Sequence, residues 1–358
     1  MRRPLPDVLR CPWPPGSIEP PAPTEDALAR AVAILAEGGL VAIPTETVYG
    51  LAANALDADA VARIFTAKGR PAGNPLIVHV SGVEMARSLA ASWPDSAARL
   101  TEALWPGPVT VVVPARSAIP PAVTAGGPTV ALRCPAQHLA RRLIERLGRP
   151  LAAPSANRSE RLSPTTAGHV LEGLGNRVDL ILDGGPCGRG IESTVVDCTT
   201  SPPRILRPGP VGAAELSAVL GGPIEAHAPG APSQTAAPAR SPGGQARHYA
   251  PATPLEVTSR AAERVEALVQ AGAAVAWLTL RSDDPAVRAI AASPLVVVVP
   301  MPASPHDYAA RLYATLHALD RRSPERIVVD APPDTEEWRA VNDRLARASA
   351  PAVDARGR

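Results

Sequence analysis

The chain reads as α/β throughout, with a large N-terminal α/β domain holding a twisted mixed sheet and a smaller C-terminal doubly wound parallel-sheet domain. Three observations predict this. Short apolar runs rich in β-branched residues alternate with helical apolar stripes along nearly the whole sequence. Between Gly221 and Pro251 the text turns to Gly, Pro, Ala, Ser and Gln without periodicity, which divides two bodies. At 358 residues, each body can bury its own core.

Residues 1–23 carry eight prolines and no periodicity, so they are expected to form a disordered or loosely docked extension. Order is predicted from Thr24, a suitable N-cap with Glu25 and Asp26 in the first turn. Leu28, Val32 and Leu35 form the stripe of that helix, and Gly38-Gly39 ends it. Leu40 to Ile43 reads as a buried strand. A second helix runs from Asp57 to Lys68 with Val61, Ile64 and Phe65 inward, and Leu76 to Val80 is the next strand. Further strands are expected at Val109–Val113, Thr129–Leu132, Leu151–Ala153, Leu180–Leu182, Thr194–Val196 and Ile205–Leu206. Helices are expected at about 95–104, 137–147, 165–173 and 213–220, completing one domain over 24–220.

Residues 221–251 read as a linker or lid. Beyond it, within 252–350, strands at 255–258, 274–279, 295–299 and 327–329 alternate with helices near 260–271, 284–292, 306–319 and 336–348. That spacing predicts a small Rossmann-like domain. No dinucleotide fingerprint follows its first strand, so no catalysis is assigned to it.

Composition narrows the class. A net charge of +2 supplies no global field for nucleic acid. Cys11, Cys134, Cys187 and Cys198 lack metal or CxxC spacing and read as reduced thiols. No apolar run reaches membrane-spanning length, so a soluble cytoplasmic protein is expected.

Of the 36 basic residues, Lys68 is the single lysine. A lysine kept in an arginine-rich chain marks a place where a compact ammonium does what a planar fork does not. It opens a loop, Lys68-Gly69-Arg70-Pro71-Ala72-Gly73-Asn74-Pro75, whose two cations and amide suit phosphate binding, although it is not a Walker loop. Four other clusters carry polar chemistry. Pro44-Thr45-Glu46-Thr47-Val48-Tyr49-Gly50-Leu51 follows a strand end, where open α/β sheets hold ligands. In Thr129-Val130-Ala131-Leu132-Arg133, alternation puts Arg133 on one face with Thr129, and a buried arginine needs an anion from protein or substrate. Ala153-Pro154-Ser155-Ala156-Asn157 leads to Ser163-Pro164-Thr165, with Ser163 either a ligand-binding residue or a helix N-cap. Glu192-Ser193-Thr194-Val195-Val196-Asp197 and Arg207-Pro208-Gly209 close the set. No Ser-His-Asp order, HExxH motif or metal-ligand cluster is present, so no metal residues are assigned. The site is expected to bind anions and stabilise charge.

In order and spacing these motifs, with Ser241-Pro242-Gly243 and Arg247-His248-Tyr249-Ala250-Pro251, resemble the threonylcarbamoyl-AMP synthase family in its two-domain form. The resemblance implies condensation of L-threonine, bicarbonate and ATP into threonylcarbamoyl-AMP and pyrophosphate, with Mg²⁺ assistance. A tRNA threonylcarbamoyl-transfer complex would then use the product on the adenosine 3′ of the anticodon. Weak direct binding of tRNA is left open. By motif, Thr47, His79, Arg133, the Ala153 backbone and Ser193 would surround L-threonine. Arg70, Asn74, Thr129, Ser155, Ser163, Arg207 and Tyr249 would surround ATP, and Lys68 with Arg70 would be catalytic. The linker carrying Tyr249 would act as a lid. Gly244-Gln245-Ala246 stands where the family has a bulky basic run, and Glu160 stands where it has glycine.

Rival readings remain at this level: a carbamoyltransferase-like module, an RNA-binding protein without catalysis, or a nucleotide-binding regulator. Threonine-dependent ATP turnover separates the synthase from the two non-catalytic readings.

Overall fold

The computed structural model describes residues 4–14, 19–226 and 247–351 in two compact units. The first unit opens with β1 (Asp7–Arg10), α1 (Ala22–Ala36), β2 (Val41–Ile43), β3 (Gly50–Asn54), α2 (Ala58–Lys68) and β4 (Ile77–His79). It continues with α3 (Val83–Leu89), α4 (Asp95–Leu104), β5 (Val109–Pro114), α5 (Pro121–Thr124), β6 (Thr129–Arg133) and α6 (His138–Leu147). It ends with β7 (Leu151–Ala152), α7 (Ala167–Leu174), β8 (Leu180–Asp183), β9 (Thr194–Asp197), β10 (Arg204–Arg207) and α8 (Ala213–Leu220).

These ten strands form one mixed sheet in the order β1-β8-β2-β3-β7-β4-β6-β5-β9-β10. One face is buried throughout by a continuous core that includes Leu51, Val61, Ile64, Val78, Leu100, Val111, Leu132 and Val170. On the other face, Leu28 and Leu35 of α1 and Leu143 of α6 pack on Val41, Leu151 and Leu182. Farther along that face, Ile77, Val112, Ala131 and Val195 make a small apolar floor. Strand alternation puts His79, Thr110 and Arg133 on the same side as this floor.

The expected disorder before residue 24 is corrected over Asp7–Arg10, which form an edge strand parallel to β8. Prolines at 6 and 12 flank it, where an edge strand tolerates them. The Thr24 cap is also corrected. Pro21 holds the N-cap position of α1, while the Thr24 hydroxyl, already inside the first turn, donates to the Pro12 carbonyl at 3.0 Å. α2 begins as expected, with the Asp57 carboxylate accepting from the amides of Asp59 and Ala60. A cap of this kind contributes about 1 kcal/mol. Its end is set by Gly69, whose left-handed φ of 61° leaves Lys68 in the last turn.

The second unit contains β11 (Leu255–Thr258), α9 (Ala261–Gln270), β12 (Val275–Thr279), α10 (Pro285–Ala291), β13 (Val296–Pro300), α11 (Pro305–Arg322), β14 (Arg326–Asp330) and α12 (Arg339–Ser349). Its four strands are all parallel, in the order β11-β14-β12-β13. Both sheets therefore have the predicted character. Residues 160–162 cluster with this unit. Among the described residues, no helix is long and apolar enough to cross a membrane.

Candidate active site

The site is assembled from loops that the sheet delivers to one place. The loop after β2 is tied by its backbone to three distant segments. Tyr49 donates its amide to the Pro164 carbonyl (2.8 Å), Ala156 donates to the Tyr49 carbonyl (2.8 Å), and Arg189 donates to the Glu46 carbonyl (2.8 Å). The Tyr49 hydroxyl donates to the Gly185 carbonyl at 2.7 Å. Three of the predicted motifs, 44–51, 153–157 and 163–165, thus meet through main-chain bonds.

Lys68 is buried at the end of α2. Its Nζ donates to the carbonyls of Ser155 and Asn157, the latter at 2.6 Å, and reaches Asn157 Oδ1 at 3.5 Å. Burial, then the nearby Arg70 guanidinium, push its pKa well below the ordinary lysine range, and Glu192 opposes them. Arg70 is also buried, with Nε donating to the Asn74 carbonyl (3.2 Å) and Nη2 to the Pro75 carbonyl (2.8 Å). Its guanidinium curls the loop around itself. The Asn74 side chain points a buried Nδ2 that meets no acceptor among the described residues.

A second cation lies at the carboxyl end of β6. Arg133 is 3% exposed. Its Nη1 donates to the Thr47 hydroxyl at 2.8 Å and its Nε to the Gly107 carbonyl at 3.3 Å. Nη2 lies 2.7 Å from Glu46 Oε1. Thr47 is itself braced by the Thr45 hydroxyl, 2.8 Å away. His79 sits beside Arg133 in register on the adjacent strand. Desolvation, then the Arg133 charge, push its pKa down to about 3, against a backbone hydrogen bond at Ile77, so the ring is neutral near pH 7. Its Nδ1 is buried without a partner among the described residues. The Ala153 amide is used by the sheet, donating to the Ile77 carbonyl at 3.0 Å.

The remaining residues connect through hydroxyls. Ser163 donates to Glu192 Oε1 at 2.5 Å. It is not a helix cap, because α7 starts at Ala167 with Thr166 as its N-cap. Ser193 Oγ contacts Thr110 Oγ1 at 2.8 Å, and Arg207 Nη2 donates to both Ser193 O (3.0 Å) and Oγ (3.1 Å). A Cβ at Gly209 would come within 3 Å of backbone atoms of Glu192, Ser193 and Thr194, so only glycine fits that crossing. Thr129, at the start of β6, shares the face of Arg133 and is half-buried.

Sequence reasoning placed the Glu46 carboxylate, with Thr45 and Thr47, in a cluster that could hold a small polar substrate, and assigned no role to Glu192 or Thr110. A hydroxyl inside the run Val109-Thr110-Val111-Val112-Val113 was the available signal for Thr110. Nothing local marks Glu192, and the partners of both carboxylates lie far away in sequence. Tyr249 belongs to the second unit. Its buried ring meets His248 edge-on (centroids 3.9 Å apart) and Tyr313 at 5.9 Å, with the Arg344 guanidinium 5.1 Å from its centroid. Most of the expected lid, including Gly244-Gln245-Ala246, lies outside the described residues. Glu160 adopts a left-handed φ of 67°, which gives the physical reason for a glycine preference there.

Residues 33–209 match a family model described as telomere recombination, and residues 211–350 match one described as threonylcarbamoyl-AMP synthase, C-terminal domain. The threonylcarbamoyl-AMP synthase of Bacillus subtilis is 40% identical over 327 residues, covering 90% of this chain and 92% of the relative. That of Pyrococcus abyssi is 46% identical over 240 residues, covering 67% and 70%. The crystal structure of P. abyssi Sua5 complexed with L-threonine aligns with a TM-score of 0.84 at 37% identity, over 96% of this chain and 97% of the other.

Proposed function

The chain belongs to the threonylcarbamoyl-AMP synthase family in its two-domain form, and from that premise we propose how its residues carry out the reaction. Its activity is a nucleotidyl transfer that condenses L-threonine, bicarbonate and ATP into threonylcarbamoyl-AMP and pyrophosphate. In our reading the threonine amine takes up CO₂ to give a carbamate. A carbamate oxygen then attacks the α-phosphorus, and the bond to the departing pyrophosphate breaks.

The observation that carries this reading is the buried Arg133, flanked by a neutral His79 and braced by Thr47 on a loop whose Tyr49 and Leu51 bond to the segment that cages Lys68. A carboxylate receptor next to a phosphate cradle is what an aminoacyl-type adenylation requires. Arg133 takes the threonine carboxylate, with Thr47, His79, the Ala153 backbone and Ser193 around the rest of the amino acid. Arg70, Asn74, Thr129, Ser155, Ser163 and Arg207 hold ATP. Tyr249 joins them on the strength of the resemblance alone. Lys68 faces the forming anhydride. Its amine is costly to charge in the bare site, and an arriving polyphosphate restores the charge where it is needed.

Among the described residues, no cluster of three or more His, Cys, Asp or Glu can hold a metal, the Glu46 carboxylate lies against the Arg133 charge, and Glu192 accepts from Ser163. The donor set does not fit a resident magnesium ion. We assign Mg²⁺ to the phosphates of incoming ATP and route no step through the protein. The product is handed to a tRNA threonylcarbamoyl-transfer complex. Four free buried thiols support a cytoplasmic setting.

The test is pyrophosphate release by purified protein, with and without L-threonine and bicarbonate. Release that requires both, and that is lost in Lys68→Arg, is the expected result. Release indifferent to threonine would remove the reading.

A further inference from the structure

We propose that Glu46 is the receptor for the ammonium group of L-threonine, so that Arg133 and Glu46 together select a zwitterion. The inference rests on the assignment of L-threonine to Arg133.

Glu46 sits between two threonines on the loop joining β2 and β3, and its carbonyl accepts from the Arg189 amide at 2.8 Å, so its backbone is fixed. Both carboxylate oxygens are sealed from solvent, and neither accepts a hydrogen bond from any described residue. The Arg133 Nη2 atom is 2.7 Å from Oε1 but approaches off the axis that a hydrogen bond needs, which makes this an ion pair only. A carboxylate placed to orient an arginine normally engages its fork in two parallel bonds. Arg133 is already oriented by Thr47 and Gly107 instead.

Glu46 is therefore a buried anion beside a cation, with acceptor capacity that the protein leaves unused. A buried charged group with unmet hydrogen bonds costs more than a neutral one, so such an arrangement fits a ligand that supplies donors. An α-amino acid carries a carboxylate and an ammonium on one carbon, which matches a guanidinium and a carboxylate held side by side. Charge agrees with geometry. Arg133 and Glu46 sum to zero, His79 adds none near pH 7, and the zwitterion brings none. A hydroxy acid of the same shape would satisfy Arg133 but bring Glu46 an added negative charge and a single neutral hydroxyl donor in place of a charged ammonium with three.

The experiment is equilibrium binding of L-threonine and of 2,3-dihydroxybutyrate, its α-hydroxy counterpart, to the full chain and to Glu46→Gln and Arg133→Gln. We expect the unmodified protein to prefer L-threonine by about tenfold or more. Glu46→Gln should weaken L-threonine by a similar factor, hold or tighten the hydroxy acid, and shrink the discrimination to a few-fold. Equal binding of the two ligands by the unmodified protein overturns the proposal without any variant. Equal weakening of both by Glu46→Gln overturns it in favour of a structural prop, and equal tightening in favour of an internal competitor. Arg133→Gln should lose both ligands. If it retains both, the threonine assignment has failed rather than the role of Glu46.

Discussion

Lys68 and Arg133 are both buried cations at the ends of regular elements, yet the chain solvates them in opposite ways. Lys68 is caged by carbonyl and amide oxygens, whereas Arg133 has a carboxylate beside it and a hydroxyl to brace it. The difference follows from the groups. An ammonium can shed its proton when buried, so neutral acceptors suffice, while a guanidinium keeps its charge and calls for an anion. One end of the site holds an amine whose pKa burial lowers, and the other a permanent charge set against a partner.

The largest expected effect comes from removing that contrast. Lys68→Arg should lower kcat by about 10³-fold or more, because a planar fork does not fit the cage of Ser155 and Asn157. Calorimetry of ATP binding in buffers of different ionisation enthalpy, run across pH, should show proton uptake below the ordinary lysine range in the unmodified protein and none in the variant. Uptake unchanged in Lys68→Arg would place the switchable group elsewhere.

Arg133→Lys tests the other end. The expected result is a rise of about 10²-fold in KM for L-threonine, with a smaller change in kcat, read from steady-state kinetics at saturating ATP. A purely kcat effect would detach Arg133 from threonine binding.

His79 sharpens the comparison through pH. Its folded pKa of about 3 lies below the unfolded 6.5, so in that window the unfolded chain binds a proton that the folded one refuses. Stability is fully present above pH 6.5 and is lost as pH falls toward 3, at up to about 1.4 kcal/mol per unit. Urea unfolding from pH 7 to pH 4 should show a shallower decline in His79→Asn. Parallel curves would mean that the ring is not held neutral.

The smallest effect concerns the segment that follows the lysine cage, where Ser159 donates to the Lys68 carbonyl at 2.8 Å. Glu160→Gly should relieve the left-handed backbone and raise stability by about 0.5–1 kcal/mol in denaturant melts, leaving kcat unchanged.

The legible parts of the fold were those whose signal is local. α4 at Asp95–Leu104 and α8 at Ala213–Leu220 carry their own periodicity, and the second unit alternates apolar runs with amphipathic stretches. β1 was hidden because its justification is β8, far along the chain, and its neighbours are prolines. β3 was hidden because Gly50-Leu51-Ala52-Ala53-Asn54 has almost no β-branched character and becomes a strand only between β2 and β7. The same rule holds in the site. Lys68, Arg70 and Asn74 announce themselves within one loop, whereas the pairing of Glu46 with Arg133 and of Glu192 with Ser163 exists only after folding.

A chain with one lysine has one bond that a lysine-specific protease can cut, and here that bond, Lys68–Gly69, is at a sealed helix end. Digestion of the native protein then becomes a clock with a single hand. Two fragments appear only as often as the end of α2 opens, and in the regime where opening and reclosing outrun cleavage, their rate reads the free energy of that opening. Substrates that brace the cage should slow the clock, so the residue central to the chemistry also reports on its own confinement.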